Sequence, residues 1–181
     1  MTTVRLYLKD FFRYRYLLYN LISRDFKLKC RRSVLGVAWS VLNPLLMCAV
    51  MVVVFGGLFG GRGSGIDNFP VYLVIGQLMF TFFRESTTMA MGSVMANAML
   101  LRKVYIPKYI FPLEKTCFGL VNYFFSFIAL IIIMIVTGTP LHATVLLAVY
   151  PIVTLFFFSL GVGLVLSTMA VFFRDVIHLW E

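Results

Sequence analysis

The sequence is poor in acidic residues and in the side chains that most often carry out enzymatic chemistry. It has seven Asp and Glu residues and two His among 181 positions, and charged residues make up 13% of the chain. Soluble domains contain about 25% charged residues. The acids are scattered rather than clustered: Asp10, Asp25, Asp67, Glu85, Glu114, Asp175 and Glu181. This scarcity argues against an active site built from paired carboxylates.

Histidine and cysteine are too few and too scattered to predict a metal site. His142 and His178 are far apart in the sequence, and Cys30, Cys48 and Cys117 lack metal-ligand spacing. Their spacing shows no disulfide framework either, so we expect reduced thiols. We therefore predict no catalytic residue, no metal and no cofactor on this chain.

Apolar residues, by contrast, are in large excess. They make up 61% of the chain, and the mean hydropathy is +0.96, whereas soluble domains are about 45–50% apolar. A domain of this length cannot bury that much apolar surface in its own core, so the remainder must face lipid. The composition predicts an all-α integral membrane protein.

The net charge of +9 originates mainly in the N-terminal segment. Nine of the sixteen Lys and Arg residues lie within residues 1–35 and four lie within 100–115, while Arg62 alone falls in a predicted external segment. A basic excess can indicate nucleic-acid binding, but its position beside a long apolar run favours the cytoplasmic leaflet of a membrane. We predict a multi-pass membrane protein with a cytoplasmic N-terminus and no nucleic-acid partner.

Residues 4–28 have the periodicity of an amphipathic helix. Arg5, Lys9, Arg13 and Lys27 recur on one face, opposite apolar and aromatic residues. A basic, aromatic-rich helix of this kind lies flat in the headgroup region of a bilayer. The alternative is an ordinary surface helix packed on a soluble core, for which the sequence supplies little material.

Four segments are long and apolar enough to cross the hydrocarbon core, which takes about 20 helical residues. They are residues 36–59, 71–100, 117–136 and 144–173. The glycine-rich segment 56–70 connects the first two. Its Gly56 and Gly61 have P-loop spacing, but Arg62-Gly63 replaces the required Lys-Ser/Thr. We interpret that segment as a flexible external loop.

The predicted span 71–100 carries two stripes of polar residues. The first stripe consists of Gln77, Thr81, Arg84, Glu85 and Thr88, and the second of Ser86, Ser93 and Asn97. Such a helix cannot face lipid all round, so one stripe should pack on protein while the other lines a polar channel. We predict that the first stripe is the channel wall. The alternative is that Arg84 and Glu85 pair with neighbouring helices and only hold the bundle together.

Small residues repeat every four positions in the predicted span 144–173. Ser159, Gly163 and Ser167 share one face. Small side chains allow two helix backbones to approach closely, so we predict a helix-packing seam there.

Three stretches of the sequence together resemble one family. They are SRDFKLKCRRSVLGVAWSVLNP at 23–44, NAMLLRKVYIP at 97–107 and FFRDVIH at 172–178. The chain resembles, over nearly its whole length, the membrane subunit of ABC-2-type polysaccharide exporters. Those systems move O-antigen, teichoic acid or capsular polymers across the bacterial cytoplasmic (inner) membrane.

The resemblance implies a permease subunit rather than an enzyme. Such permeases form homodimers, and a separate ABC ATPase subunit binds ATP and Mg²⁺. A lipid-linked polysaccharide passes between the two permeases. Residues 4–28 match the family's N-terminal interfacial helix, which contacts membrane lipids.

The same resemblance assigns the segment 100–115 to coupling between the ATPase and the spans. Its expected coupling residues are Arg102, Lys103, Tyr105, Pro107 and Lys108. From the residues themselves, we expect Pro107 and Pro112 to break the helix.

Family members usually have six spans, whereas this chain ends after its fourth, inside the third stretch. We therefore expect residues 1–181 to be a C-terminally incomplete ABC-2-type transmembrane domain. Two other functions stay open from the sequence: an ABC-2 permease for a small molecule or drug, and a membrane acyl- or glycosyltransferase. The transferase would need a cluster of acids and histidines.

Overall fold

A computed structural model describes residues 2–31, 38–59, 69–136 and 147–180. Within these ranges the chain forms seven helices and no strand. The helices are α1 (Thr2–Arg31), α2 (Ala38–Phe59), α3 (Phe69–Ala96), α4 (Ala98–Lys103), α5 (Ile110–Val136), α6 (Val149–Phe172) and α7 (Val176–Trp180). Arg62 and His142, in the predicted external segments, lie outside the described residues. The ends of the first predicted external segment, residues 56–59 and 69–70, instead belong to α2 and α3.

The predicted span 71–100 is divided in the structure at Asn97. This residue has φ −105° and ψ 18°, and its side-chain amide donates to the Ser93 carbonyl at 2.9 Å. An Asn side chain that bonds to a nearby carbonyl competes with continued helix. The short helix α4 therefore follows α3 as a separate element.

Helix α5 begins seven residues before the predicted span, and one expectation about proline is wrong. Pro112 lies in the first turn of α5 rather than ending a helix. The first four backbone N–H groups of a helix have no partner within it, so proline costs little there. Pro107 precedes α5 in the non-helical segment, as expected.

Two of the described helices are long and apolar enough to cross a bilayer: Ile110–Ile135 in α5 and Val149–Phe172 in α6. In the most apolar window of α6, only 17% of the residues are buried within the chain. A core helix of a soluble protein would be covered by its own chain. The exposed apolar surface of α6 therefore requires lipid or further protein around it.

Helix α3 is the centre of the bundle and packs along both α5 and α6. The largest apolar core joins the first half of α3 to α5, with side chains of α6 packed against it. Leu78 and Phe82 of α3 and Tyr123 of α5 are buried there. The ring of Phe82 meets that of Tyr123 edge to face, with 5.6 Å between centroids.

Two glycines allow α3 to approach its neighbours closely. A Cβ on Gly119 of α5 would collide with Ser86 Oγ, and a Cβ on Gly163 of α6 would lie 2.8 Å from Ala90 Cβ. The Ala90 methyl cannot rotate out of the way, so only glycine fits at Gly163, whereas a side chain at Gly119 would require the Ser86 hydroxyl to turn aside. The three helices therefore meet through small residues at this level.

Two of the buried hydroxyls at this junction bond to carbonyls of their own helices. Ser93 Oγ donates to the Ala90 carbonyl at 2.6 Å, and Ser159 Oγ donates to the Leu155 carbonyl at 2.7 Å. Such bonds satisfy a polar group where water is scarce. Ser159, Gly163 and Ser167 are all buried on α6, which places the predicted seam inside the bundle.

Helix α7 turns back towards the middle of α3. Trp180 Nε1 donates to Thr87 Oγ1 at 3.2 Å, and its ring lies 6.2 Å from that of Phe83. The chain that leaves α6 at Phe173 thus returns along α3.

The glycine contact predicts opposite effects for two alanine substitutions in α6. Gly163→Ala should destabilise the bundle by about 1–3 kcal/mol, as overpacking does, because the new methyl meets Ala90. In Gly161→Ala the new methyl has no atom within 4 Å, so this variant should be as stable as the wild type or more stable by up to about 1 kcal/mol. Thermal unfolding in detergent measures both. Equal melting temperatures for the two variants would contradict the close approach.

Candidate functional site

The structure separates the two polar stripes of α3. Ser86, Ser93 and Asn97 of the second stripe are buried in the bundle. In the first stripe, Arg84 and Glu85 are exposed, and the remaining three residues, Gln77, Thr81 and Thr88, are half-buried. The polar surface left accessible on α3 is therefore the one predicted as a channel wall.

A cavity of about 270 Å³ lies where α1, α2, α3 and α5 meet. We call it the inner cavity. Its polar lining consists of Lys29, Asn43, Thr81, Glu85, Asn122 and Ser126, and its aromatic lining of Trp39, Phe82 and Tyr123. Lys29 Nζ donates to Asn122 Oδ1 at 2.8 Å, so the end of α1 is bound to the middle of α5.

A second, open cavity of about 380 Å³ lies on the exposed face of α3. It is lined by Arg84, Glu85, Thr88 and Met89. Glu85 is the residue that it shares with the inner cavity. Among the described residues, Arg84 forms no ion pair.

The predicted stripe is thus divided between the two cavities. Thr81 lines the inner cavity, Arg84 and Thr88 line the open one, and Gln77 lines neither. The Gln77 amide instead lies 3.4 Å from Thr81 Oγ1, with which it hydrogen-bonds.

Sequence reasoning did not assign Lys29, Asn43 or Asn122 to a site. Lys29 is one of nine basic residues in the first 35 positions, so charge patterning alone did not distinguish it. Asn122 and Ser126 are one helical turn apart, which marks one polar face of α5. Only the tertiary arrangement brings that face next to Lys29.

The predicted coupling residues form a mostly exposed surface. Arg102, Lys103 and Lys108 are exposed, Pro107 is half-buried, and Tyr105 is 91% exposed. A tyrosine ring in water loses the stabilisation that burial gives it. This surface, residues 102–108, is accessible to a partner protein.

The buried residue of that segment ties it to α1. Ile106 packs in a cluster with Leu21 of α1 and with Ile110 and Phe111 at the start of α5. Burying such a side chain contributes about 1.5–3 kcal/mol. The exposed coupling surface therefore lies on a fixed support.

An ion-pair cluster adds to this contact between α1 and α5. Lys115 pairs with Asp25, which also pairs with Arg24 at 3.1 Å. Lys115 Nζ also lies 3.4 Å from the fully buried Glu114 carboxylate. Partial burial alone would raise the pKa of Asp25, but the hydrogen bonds and charges of Lys115 and Arg24 lower it below 3.8.

Along the described part of α1, burial is one-sided. Leu21 is buried and Phe26 stacks on Phe125 of α5, whereas Lys27 and Tyr19 are exposed. The predicted interfacial residues Arg5, Lys9 and Arg13 lie outside the residues whose side chains are described. Whether this helix lies in a headgroup region stays a prediction.

These features define a class of protein. Residues 16–181 match the ABC-2 type transporter family, and the chain belongs to this family of transporter membrane proteins. No group of His, Cys, Asp and Glu suited to a metal occurs among the described residues.

The relatives of this chain include polysaccharide exporters. It is 28% identical to the O-antigen export system permease protein RfbA of Klebsiella pneumoniae and 29% identical to RfbA of Myxococcus xanthus. The alignments cover 88% and 94% of this chain, and 61% and 65% of the relatives. The capsule polysaccharide export inner-membrane protein CtrC of Neisseria meningitidis is 26% identical over 88% of the chain and 60% of its own length. The chain thus spans about three fifths of these relatives.

The ion-pair cluster predicts a pH-dependent difference between the wild type and Asp25→Asn. Because the pKa of Asp25 is lowered on folding, its stabilisation is complete above about pH 5 and is lost as pH falls through the lowered folded value. Above about pH 5 the variant should be less stable by about 1.5–3 kcal/mol, the contribution of a charged hydrogen bond. Thermal unfolding in detergent across this range is the measurement.

Asp175→Asn is the matched control, since Asp175 is exposed and forms no ion pair among the described residues. A difference between the wild type and Asp25→Asn that persists unchanged at about pH 2 would show that the Asp25 charge is not responsible.

Proposed function

We propose that this chain is the membrane permease part of an ATP-driven exporter of lipid-linked polysaccharide. Family membership over residues 16–181, with relatives named for O-antigen and capsule export, is the observation that supports this most. The sequence contains no complete nucleotide-binding loop, so ATP hydrolysis is assigned to a separate ATPase subunit.

The proposed arrangement in the bilayer has four spans and an N-terminal interfacial helix. Helices α2, α3, α5 and α6 cross the membrane, and both ends of the chain are cytoplasmic. The distribution of basic residues supports this, because residues 1–35 and 100–115 hold thirteen of the sixteen.

The proposed substrate path runs along the accessible polar stripe of α3. A lone guanidinium in an apolar bundle is costly unless it meets an anion or a polar cavity. Arg84 fits this role, since it lines the open cavity and its planar donor fork suits phosphate or acidic sugars. Two copies of the chain, each presenting this stripe, would enclose the path between them.

The proposed docking surface for the ATPase is the exposed part of residues 102–108. Three basic side chains and the exposed Tyr105 lie together there. Aromatic residues such as Tyr105 and arginines such as Arg102 are enriched at protein interfaces. Because Ile106 is buried against α1, force applied at this surface reaches α1 and α5 together.

The proposed topology predicts the location of reporters fused to the chain. A reporter after residue 65 should be active only outside the cytoplasm, and one after residue 105 only inside it. A pair of reporters with opposite compartment requirements, such as alkaline phosphatase and a fluorescent protein, measures both positions. Reporters on the same side of the membrane at residues 65 and 105 would contradict four spans.

Arg84→Ala is predicted to reduce export without reducing assembly. A charge-assisted hydrogen bond contributes about 1.5–3 kcal/mol, and 1.4 kcal/mol is a factor of ten. Cells that produce the chain with its ATPase should therefore place at least about tenfold less polymer on their surface, as lectin or antibody binding measures. Membrane levels of the permease and copurified ATPase should stay unchanged.

Arg15→Ala is the control for this experiment. Arg15 is also exposed, but its guanidinium lies over the Tyr16 ring on α1, 4.9 Å from the centroid and away from both cavities. Cells with the Arg15→Ala variant should export polymer at the wild-type level. Loss of permease and ATPase from the membrane in Arg84→Ala would instead show that Arg84 holds the bundle together.

A further inference from the structure

The inner cavity has a balanced pair of charges, which restricts what it can bind. Among its described lining residues, Lys29 at the end of α1 is the basic one and Glu85 of α3 is the acidic one. An anion that approaches Lys29 also meets the Glu85 carboxyl, and a cation that approaches Glu85 also meets the Lys29 ammonium. By Coulomb's law, each would be repelled by one of the two. A neutral ligand avoids this conflict.

The remaining polar lining favours a ligand with many hydroxyl groups. Asn43 and Asn122 each carry an amide donor and an acceptor, and Thr81 and Ser126 carry hydroxyls that do both. Lys29 already donates to Asn122 Oδ1 at 2.8 Å. That bond fixes the amide so that its NH₂ group is the end left to donate to a ligand.

The aromatic lining favours a ligand with an apolar face. Trp39 of α2 lines the cavity and is 49% exposed, so part of its ring is uncovered. Phe82 and Tyr123 also line the cavity and are buried. A pyranose ring combines hydroxyl groups around its edge with an apolar C–H face that lies flat on an aromatic ring.

The size of the cavity admits one such ring. Its volume of about 270 Å³ is just below the range of about 300–1,000 Å³ found for drug-sized ligands. A longer glycan would have to extend out of the cavity. The adjoining open cavity shares Glu85 and offers that exit.

We propose that the inner cavity binds a single uncharged sugar ring of the exported glycan. This inference rests on the proposed function, and it names a subsite that lies within one copy of the chain. Asn43, Asn122 and Glu85 hydrogen-bond the hydroxyls, and Trp39 covers the C–H face. Because Glu85 lines both cavities, this subsite adjoins the part of the proposed path that Arg84 lines.

Trp39 makes the inference testable by fluorescence, because the chain has only two tryptophans. In Trp180→Phe, which keeps an aromatic ring against Phe83, Trp39 is the sole indole. The purified full chain in detergent would be titrated with methyl glucoside, methyl mannoside and methyl galactoside, and separately with inorganic phosphate. We expect a saturable change with at least one glycoside at about 1–10 mM and none with phosphate.

Two substitutions in the lining and one outside it complete the test. Asn122→Ala should weaken glycoside binding about tenfold. Thr81→Val, which removes the hydroxyl but keeps the size of the side chain, should weaken it by about the same factor. Thr154→Val should not, because the Thr154 hydroxyl bonds to the Tyr150 carbonyl on exposed α6, away from the cavity. Circular dichroism of each variant shows whether it is folded, and Thr81→Val serves if Asn122→Ala unfolds.

Three outcomes would overturn the inference: no response to any glycoside, a response to phosphate instead, or binding that survives both lining substitutions. Export and ATPase copurification are measured separately. A chain that supports export but does not bind sugar leaves the proposed function standing and removes this subsite. A chain that binds sugar but neither supports export nor copurifies with an ATPase keeps the sugar site and contradicts the proposed function.

Discussion

The close approach of α3 to α5 and α6 is the constraint on which the rest of the structure depends. Gly119 and Gly163 leave room for Ser86 and Ala90 at backbone contact distance. Apolar burial cannot draw helices together inside lipid as it does in water, so close packing of small residues takes over. Because α3 is fixed from two sides, the orientation of every other residue around its axis is fixed as well.

That fixed orientation separates two kinds of polarity on one helix. The hydroxyls and amide of Ser86, Ser93 and Asn97 turn into the bundle, where Ser93 and Asn97 bond to backbone carbonyls. Arg84 and Glu85 consequently lie on the accessible face of α3, where both line the open cavity. A rotation that buried the charges would also expose the small residues and open the contact with α5 and α6.

Much of this fold was predictable from local sequence. Hydrophobic length placed α2 and α6 close to where the structure describes them, but it missed the first seven residues of α5. Four-residue spacing picked out the small residues on α6. The break at Asn97 and the position of Pro112 inside α5 were not foreseen. Both depend on individual hydrogen bonds and helix ends, to which average hydropathy is insensitive.

The candidate site was predictable only in part, because some of its residues lie on one helix and others come together only in the folded chain. The α3 stripe lies on one helix, so periodicity alone identified Thr81, Arg84 and Glu85. The inner cavity draws residues from four helices that are distant in the sequence, including Lys29 and Asn122. No pattern within one helix could join them. The number of spans and the roles of these residues stay predictions.

The two bonds from α1 to α5 also distinguish this helix from one that merely adheres to a membrane. A helix held by lipid charge alone loosens as salt screens the headgroups. Here Asp25 bonds to Lys115, and Lys29 bonds to Asn122 one helical turn further along α1. The position of α1 against α5 is accordingly determined by contacts within the protein itself, which hold the two helices in register without any contribution from lipid.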